Sequence, residues 1–312
     1  MNAKASLLET QKRIASYVHR TPVLSSSLLN EIAGTQLYFK CENFQRMGAF
    51  KMRGAASAIT NLNAAQKVKG VVTHSSGNFA QALSLAAKSL GVKAYIVMPE
   101  NAPQVKKDAV RGYEGVIIEC PSTIEAREHK AQEIQEQEGA TFIHPSNNDD
   151  VILGQGTAAA ELLEDHPDLD YIITPVGGGG LIAGTALAAH HLGKHCKVIG
   201  GEPFAVDDAY RSLISGKIET NTTTATVADG LRTHLGDRNF PIIQEYVDKI
   251  IRVEEQEIIA AMRLIWERMK IIIEPSCAVP FAALLRNKTD YATQKIGIIL
   301  SGGNVDLNNL PF

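Results

Sequence analysis

A chain of 312 residues exceeds the ~100–200 residues typical of one domain, so two lobes are the starting expectation. Hydrophobic residues at 45% and charged ones at 21% exclude extensive disorder, and a formal net charge of −3 removes the basic excess that gripping nucleic acid would need. Cys41, Cys120, Cys196 and Cys277 lie far apart and form no CxxC pair, which argues against structural zinc and against a disulfide framework. The first residues lack a signal-peptide core and no stretch approaches the ~20 apolar residues of a membrane span, so no membrane partner is expected and the cytoplasm is the simplest address.

In chain order, strands are predicted at Gln36–Lys40, Val71–His74, Ala94–Met98, Gly115–Glu119, Tyr171–Thr174, Lys197–Gly201 and Ile296–Leu300. Helices are predicted at Asn78–Leu90, Thr123–Glu138, Val151–Glu164 and Leu181–His191, with an alanine-rich one beginning near Lys51. The alternation reads as α/β architecture: parallel sheet with helices on both faces. VVTHS and YIITPV are continuous apolar runs, as strands covered on both faces should be. Residues 70–147 read as a small α/β domain inserted into a large one made of 1–69 and 148–312, leaving a cleft between them for a ligand.

Several segments carry unusual chemistry. Lys51 stands between Phe50 and Met52 at a helix head; such a lysine either snorkels to water or, held in apolar surroundings, becomes a neutral amine fit for Schiff-base chemistry. Ser75, Ser76, Gly77 and Asn78 join an apolar strand to a helix, where they either cap it or offer hydroxyls and N–H groups to a substrate carboxylate. Gly177, Gly178, Gly179 and Gly180 lie between a strand and a helix, and four glycines in a row favour close approach to a phosphate. A rival reads Gly178, Gly180 and Ala183 as a dinucleotide fingerprint with Glu202 as the ribose-binding acid, which would make an NAD-dependent oxidoreductase. Glu202 and Asp208, with a backbone carbonyl between them, suit a hard cation, although acids opening a helix are by default dipole partners. Ser301 follows the last strand; it either presents its hydroxyl to the cleft or bonds its own turn.

GAFKMRGA, THSSGNFAQA, VGGGGLIAG and LSGGNVDL occur in this order. Together they resemble the fold-type II pyridoxal-phosphate enzymes, within them the serine/threonine dehydratase and serine racemase family, from about Arg20 to Leu307. The resemblance implies a two-lobed fold like that of tryptophan synthase β, with pyridoxal 5′-phosphate in the inter-domain cleft. It also implies α,β-elimination of L-serine or L-threonine to a 2-keto acid and ammonia, with serine racemase activity; 3-hydroxyaspartate is the alternative substrate. The NAD reading gives Lys51 and Ser301 no role and is displaced.

Carried onto this chain, the resemblance implies that Lys51 binds the coenzyme covalently beside Phe50. Asn78 would meet the ring's 3-hydroxyl oxygen, Gly177–Gly180 the phosphate and Ser301 the ring nitrogen, while Glu274 approaches from a strand end in IIIE. Ser75, Ser76, Gly77, Asn78 and Arg127 would bind substrate, with Ser76 as the second proton donor. Glu202, Asp208 and the carbonyl of Val206 would ligate magnesium, calcium or manganese. Two positions depart from the family pattern: Phe79 replaces a usual histidine, and Ser146 a frequent asparagine or tyrosine. A homodimer is expected, and no regulatory amino-acid-binding domain after Phe312.

Overall fold

The structure is a computed structural model and describes residues 3–312. Among the described residues ten strands form two sheets: β1 (Val23–Leu24), β2 (Gln36–Cys41), β3 (Val71–His74), β4 (Ala94–Pro99), β5 (Val116–Cys120), β6 (Thr141–Phe142), β7 (Tyr171–Pro175), β8 (Lys197–Pro203), β9 (Val247–Val253) and β10 (Lys295–Leu300). The six-stranded sheet runs β1-β2-β10-β7-β8-β9, and the four-stranded one β5-β4-β3-β6. Every pairing is parallel except β1 with β2. The expected α/β class therefore holds, and the smaller sheet uses only strands between residues 71 and 142.

The parallel pairing follows from composition. In β10, Ile296, Ile298, Ile299 and Leu300 are all buried, so side chains on both faces need apolar cover. Helices supply it. The predicted helix Asn78–Leu90 is found with those bounds, and the others lie within about two residues of expectation: Ile124–Glu138, Asp149–Asp165 and Gly180–Leu192. One expected strand end is corrected. Residues 271–273 alternate buried and exposed as a strand would and Glu274 is buried again, but the four pair with no strand and run into the helix Pro275–Arg286, with Glu274 extended at its N-cap. Lys270 ends the preceding helix in the left-handed region (φ 60), and Pro275 opens the next at its first turn, so the segment is a short link between two helices.

The helix Asp149–Asp165 packs between Lys51–Thr60 and Gly180–Leu192. Glycines permit the crossings: a Cβ on Gly154 would fall 2.5 Å from the Arg53 carbonyl oxygen, and one on Gly184 2.3 Å from that of Ile152. Beside this contact lies a buried charge cluster. Arg53, fully enclosed, bonds Glu42 through Nε at 2.7 Å and Glu161 through Nη1 at 2.8 Å, and Lys40 reaches Glu161 at 2.6 Å. Burial alone would raise the Glu42 carboxyl, but Arg53 overrides it and holds the group below the usual carboxylate range. The cluster clamps the end of β2, the Lys51 helix and the Asp149–Asp165 helix together.

Candidate active site

Segments following β3 and β10 meet the start of the Lys51–Thr60 helix, and the segment following β7 packs on Ser146, next to the Pro145 carbonyl that Lys51 reaches. Ala49 forms an isolated antiparallel bridge with Gly302, and the N–H of Phe50 donates to the Ser301 carbonyl at 3.0 Å, which ties the approach to Lys51 to the end of β10. Lys51 does not snorkel. Its Nζ donates to the Pro145 carbonyl at 2.9 Å and stands 5.0 Å from the Phe50 ring centroid and 5.8 Å from that of Phe79. Burial pushes the amine down to about 8, with the Glu274 carboxylate pulling the other way. Near that pH about half of it is neutral and nucleophilic. Phe79, where the family pattern has histidine, is thus part of the apolar wall beside the amine.

Asn78 opens its helix without capping it. The N-cap is Gly77, with no side-chain cap bond, so Ser76 and Asn78 keep their polar groups for other partners. Asn78 Nδ2 donates to both oxygens of Glu274, at 3.0 and 3.1 Å, and its Oδ1 accepts from Asn304 Nδ2 at 2.9 Å. Glu274 is pushed up to about 7, by burial first and against the opposing bond from Asn78. Ser75, Ser76 and Gly77 are half-buried at the same turn; Ser75 Oγ accepts from Gly77 N at 3.4 Å, and the Ser76 hydroxyl has no hydrogen-bond partner among the described residues.

The four-glycine turn has no room for side chains. A Cβ on Gly178 would lie 2.4 Å from Ser146 Oγ, on Gly179 2.6 Å from Asn239 Oδ1 and on Gly180 2.6 Å from Gln155 Oε1. Gly179 itself is left-handed (φ 80). Among the described residues the N–H groups of Gly177–Gly180 have no acceptor, and they stand at the amino end of the Gly180–Leu192 helix. Orphan donors at a helix start form an anion cradle. Asn239, fully buried, fixes it by donating to the Gly178 carbonyl at 2.8 Å and that of Ser146 at 3.2 Å. Ser301 is buried, and its hydroxyl lies against the Cys277 thiol.

The remaining candidates lie elsewhere. Glu202 and Asp208 are both fully buried. Glu202 accepts from Ala209 N at 3.0 Å and Tyr210 N at 2.8 Å, while Asp208 accepts from Asn221 Nδ2 at 2.6 Å. Burial raises both carboxyls, and Asp208 pushes Glu202 further still. Val206 is buried between them in sequence. Among the described residues no group of three or more His, Cys, Asp or Glu side chains is placed to hold a metal. Arg127 is half-buried, and its Nε donates to the Thr123 carbonyl of its own helix at 3.3 Å.

A lysine amine in an apolar wall, an amide cradle for an anion and a buried carboxyl–amide pair match one family above others. The family described as pyridoxal-phosphate dependent enzyme matches residues 14–302. The chain belongs to it. A serine racemase of Dictyostelium discoideum is 53% identical, covering 97% of this chain and 94% of its own length. A β-hydroxyaspartate dehydratase of Paracoccus denitrificans is 47% identical over 98% of this chain and 97% of its own. A solved threonine deaminase of T.th. superposes with a TM-score of 0.92 at 43% identity, covering 97% of this chain and 98% of that one. The fold is that of the fold-type II pyridoxal-phosphate enzymes, and membership of the family sets the NAD reading aside.

Pyridoxal phosphate fits the residues present, because the orphan N–H donors suit its phosphate and the Lys51 amine its aldehyde. Asn239, Gln155, Asn304 and the Pro145 carbonyl escape the sequence reading. Only the GGN run around Asn304 carries any local signal.

Proposed function

We propose that this enzyme eliminates water from a β-hydroxy amino acid, L-serine or L-threonine, to give a 2-keto acid and ammonia, and that it also racemises serine. The observation that carries the reading is the Lys51 amine, held at 2.9 Å from the Pro145 carbonyl between two aromatic rings and lowered toward neutrality by burial. The likeness to a serine racemase, a β-hydroxyaspartate dehydratase and a threonine deaminase supports it. 3-Hydroxyaspartate is the second reading, and the β-hydroxyaspartate dehydratase relative at 47% identity favours it.

When bound, pyridoxal phosphate supplies an electron sink for the pair left at the substrate α-carbon. Lys51 holds the coenzyme, Phe50 packs beside it, and Gly177–Gly180 hold its phosphate. Asn78, with Glu274 behind it, fixes the ring oxygen. Ser301 is a neutral donor to the ring nitrogen; it imposes no full charge there, which favours proton abstraction over transamination. Ser75, Ser76, Gly77 and Asn78 bind the substrate carboxylate, with Arg127 as the further candidate for that group. The freed Lys51 amine takes the α-proton, and Ser76 returns one on the opposite face. Residues 70–147 act as a small domain over the cleft. We place the enzyme in the cytoplasm as a homodimer; its four free cysteines suit a reducing compartment.

The purified holoenzyme should absorb in the near ultraviolet to violet and convert L-serine, L-threonine or L-threo-3-hydroxyaspartate to keto acid. A colourless, inactive protein after loading with pyridoxal phosphate would defeat the reading. In the same assay Ser76→Ala should abolish inversion of serine, by about 100-fold or more, and spare elimination from the L-isomer. Unchanged inversion would remove Ser76 from the mechanism.

Glu202, Asp208 and the Val206 carbonyl form the proposed site for magnesium, calcium or manganese, supported by two buried carboxyls with no cationic side chain bonded to either among the described residues. The pH dependence has a definite sign. Folded-state values raised above the unfolded ones mean that stability is lost as pH rises from the ordinary carboxylate range through the raised values. A divalent cation opposes that loss by favouring the ionised pair. In chelator the melting temperature should therefore fall as pH rises above the ordinary carboxylate range, and millimolar magnesium should restore it most at the upper end. Identical melting curves with and without metal would exclude the site.

A further inference from the structure

His144 lies outside every role assigned so far, yet it anchors the turn on which the Lys51 amine rests. Its Nδ1 accepts two backbone N–H bonds, from Ser146 at 3.2 Å and Asn147 at 2.8 Å. The ring sits edge-on to His74, with centroids 5.9 Å apart, and to Phe142 at 6.3 Å. This turn makes two contacts that matter. Its Pro145 carbonyl receives Lys51 Nζ at 2.9 Å and Gln155 Nε2 at 3.3 Å. Its Ser146 packs against the glycine cradle, where Cβ atoms on Gly178 or Gly180 would meet it at 2.4 and 2.9 Å. Accepting two N–H groups at one nitrogen requires a neutral ring with its proton on Nε2. The surroundings enforce this: burial first, then His74 and Lys51, push the imidazole down to about 4, with Asp237 opposing.

Resting on the coenzyme reading above, we propose that His144 is a positioning residue whose Nδ1 fixes the 144–147 turn, and with it the Pro145 carbonyl that holds the freed Lys51 amine. A carbonyl that accepts an N–H from a neutral amine leaves the nitrogen lone pair free to point elsewhere, so the turn orients the base without blocking it. Displacing such a contact by about 1 Å costs up to ~100-fold in rate.

The test compares three substitutions in the holoenzyme. Asparagine places an acceptor oxygen where Nδ1 was, glutamine carries it one bond further out, and leucine removes it. His144→Asn should keep kcat within about threefold, whereas His144→Gln and His144→Leu should lower kcat by about ten- to a hundredfold with KM changed less than about threefold. Amide hydrogen exchange at Ser146 and Asn147 should accelerate in the latter pair and stay slow in the asparagine variant. If leucine prevents folding, the Asn–Gln comparison decides alone. Equal kcat and equal exchange in those two would overturn the inference, as would exchange that rises with no change in kcat. Failure of the functional reading looks different, because the unmodified holoenzyme would then have no turnover to compare.

Discussion

Lys51→Ala should reduce turnover of every substrate by about 1,000-fold or more and leave the protein at least as stable as before. The activity follows from removing the group proposed both to bind the coenzyme and to take the α-proton, so two contributions vanish together. The stability follows from the site itself. Burial lowers the amine to about 8, below its ordinary range, so folding is disfavoured at neutral pH and gains as pH rises through 8 toward the unfolded value. Alanine abolishes that dependence, and sites built for chemistry commonly gain stability when emptied of it. The checks are a rate assay, borohydride reduction followed by peptide mapping, and melting curves between pH 7 and about 10. Retention of a tenth of the activity, or a borohydride-stable attachment at another lysine, would end the assignment of Lys51.

Arg53→Met should cost about 3–5 kcal/mol of folding free energy, the range for removing one partner from a buried ion pair. The guanidinium bonds Glu42 at 2.7 Å and Glu161 at 2.8 Å with no exposure to solvent. Its loss leaves Lys40, 2.6 Å from Glu161, as the remaining cation within bonding distance of that pair among the described residues. The damage comes chiefly from the stranded carboxylates and not from missing attraction. Adding Glu42→Gln and Glu161→Gln to the same chain should therefore recover part of the loss, which denaturant unfolding would measure. Full additivity of the three changes would show that the groups act independently. Coenzyme occupancy should drop as well, since Arg53 stands two positions after Lys51 on the same helix.

What could be read in advance was whatever local order dictates. Apolar runs gave seven of the ten strands described, with β1, β6 and β9 unanticipated, and glycine or hydroxyl residues shortly after Val71–His74, Tyr171–Pro175 and Lys295–Leu300 marked where chemistry would gather. Lys51 stood out because a lysine between apolar neighbours is an anomaly. The rest depends on contacts between distant segments. His144, Gln155 and Asn239 are ordinary polar residues in their own windows; only the folded chain brings them against Pro145 and the glycine turn. Arg53 reads as a surface cation until its carboxylates arrive from residues 42 and 161. Residues 271–274 read as a strand end from their run of isoleucines, but no neighbouring strand pairs with them.

The glycine contacts of the Asp149–Asp165 helix make it a spacer. One side meets Gly54 on the lysine helix, where an added Cβ would lie 2.9 Å from Val151, and the other meets Gly184 on the helix that begins at the four-glycine turn. The reach from amine to anion cradle is thus held by this rod together with the 144–147 turn, which touches both ends. If the proposed roles hold, changes at the Ser75–Gly77 turn should alter substrate choice while the spacing between amine and cradle keeps its original length.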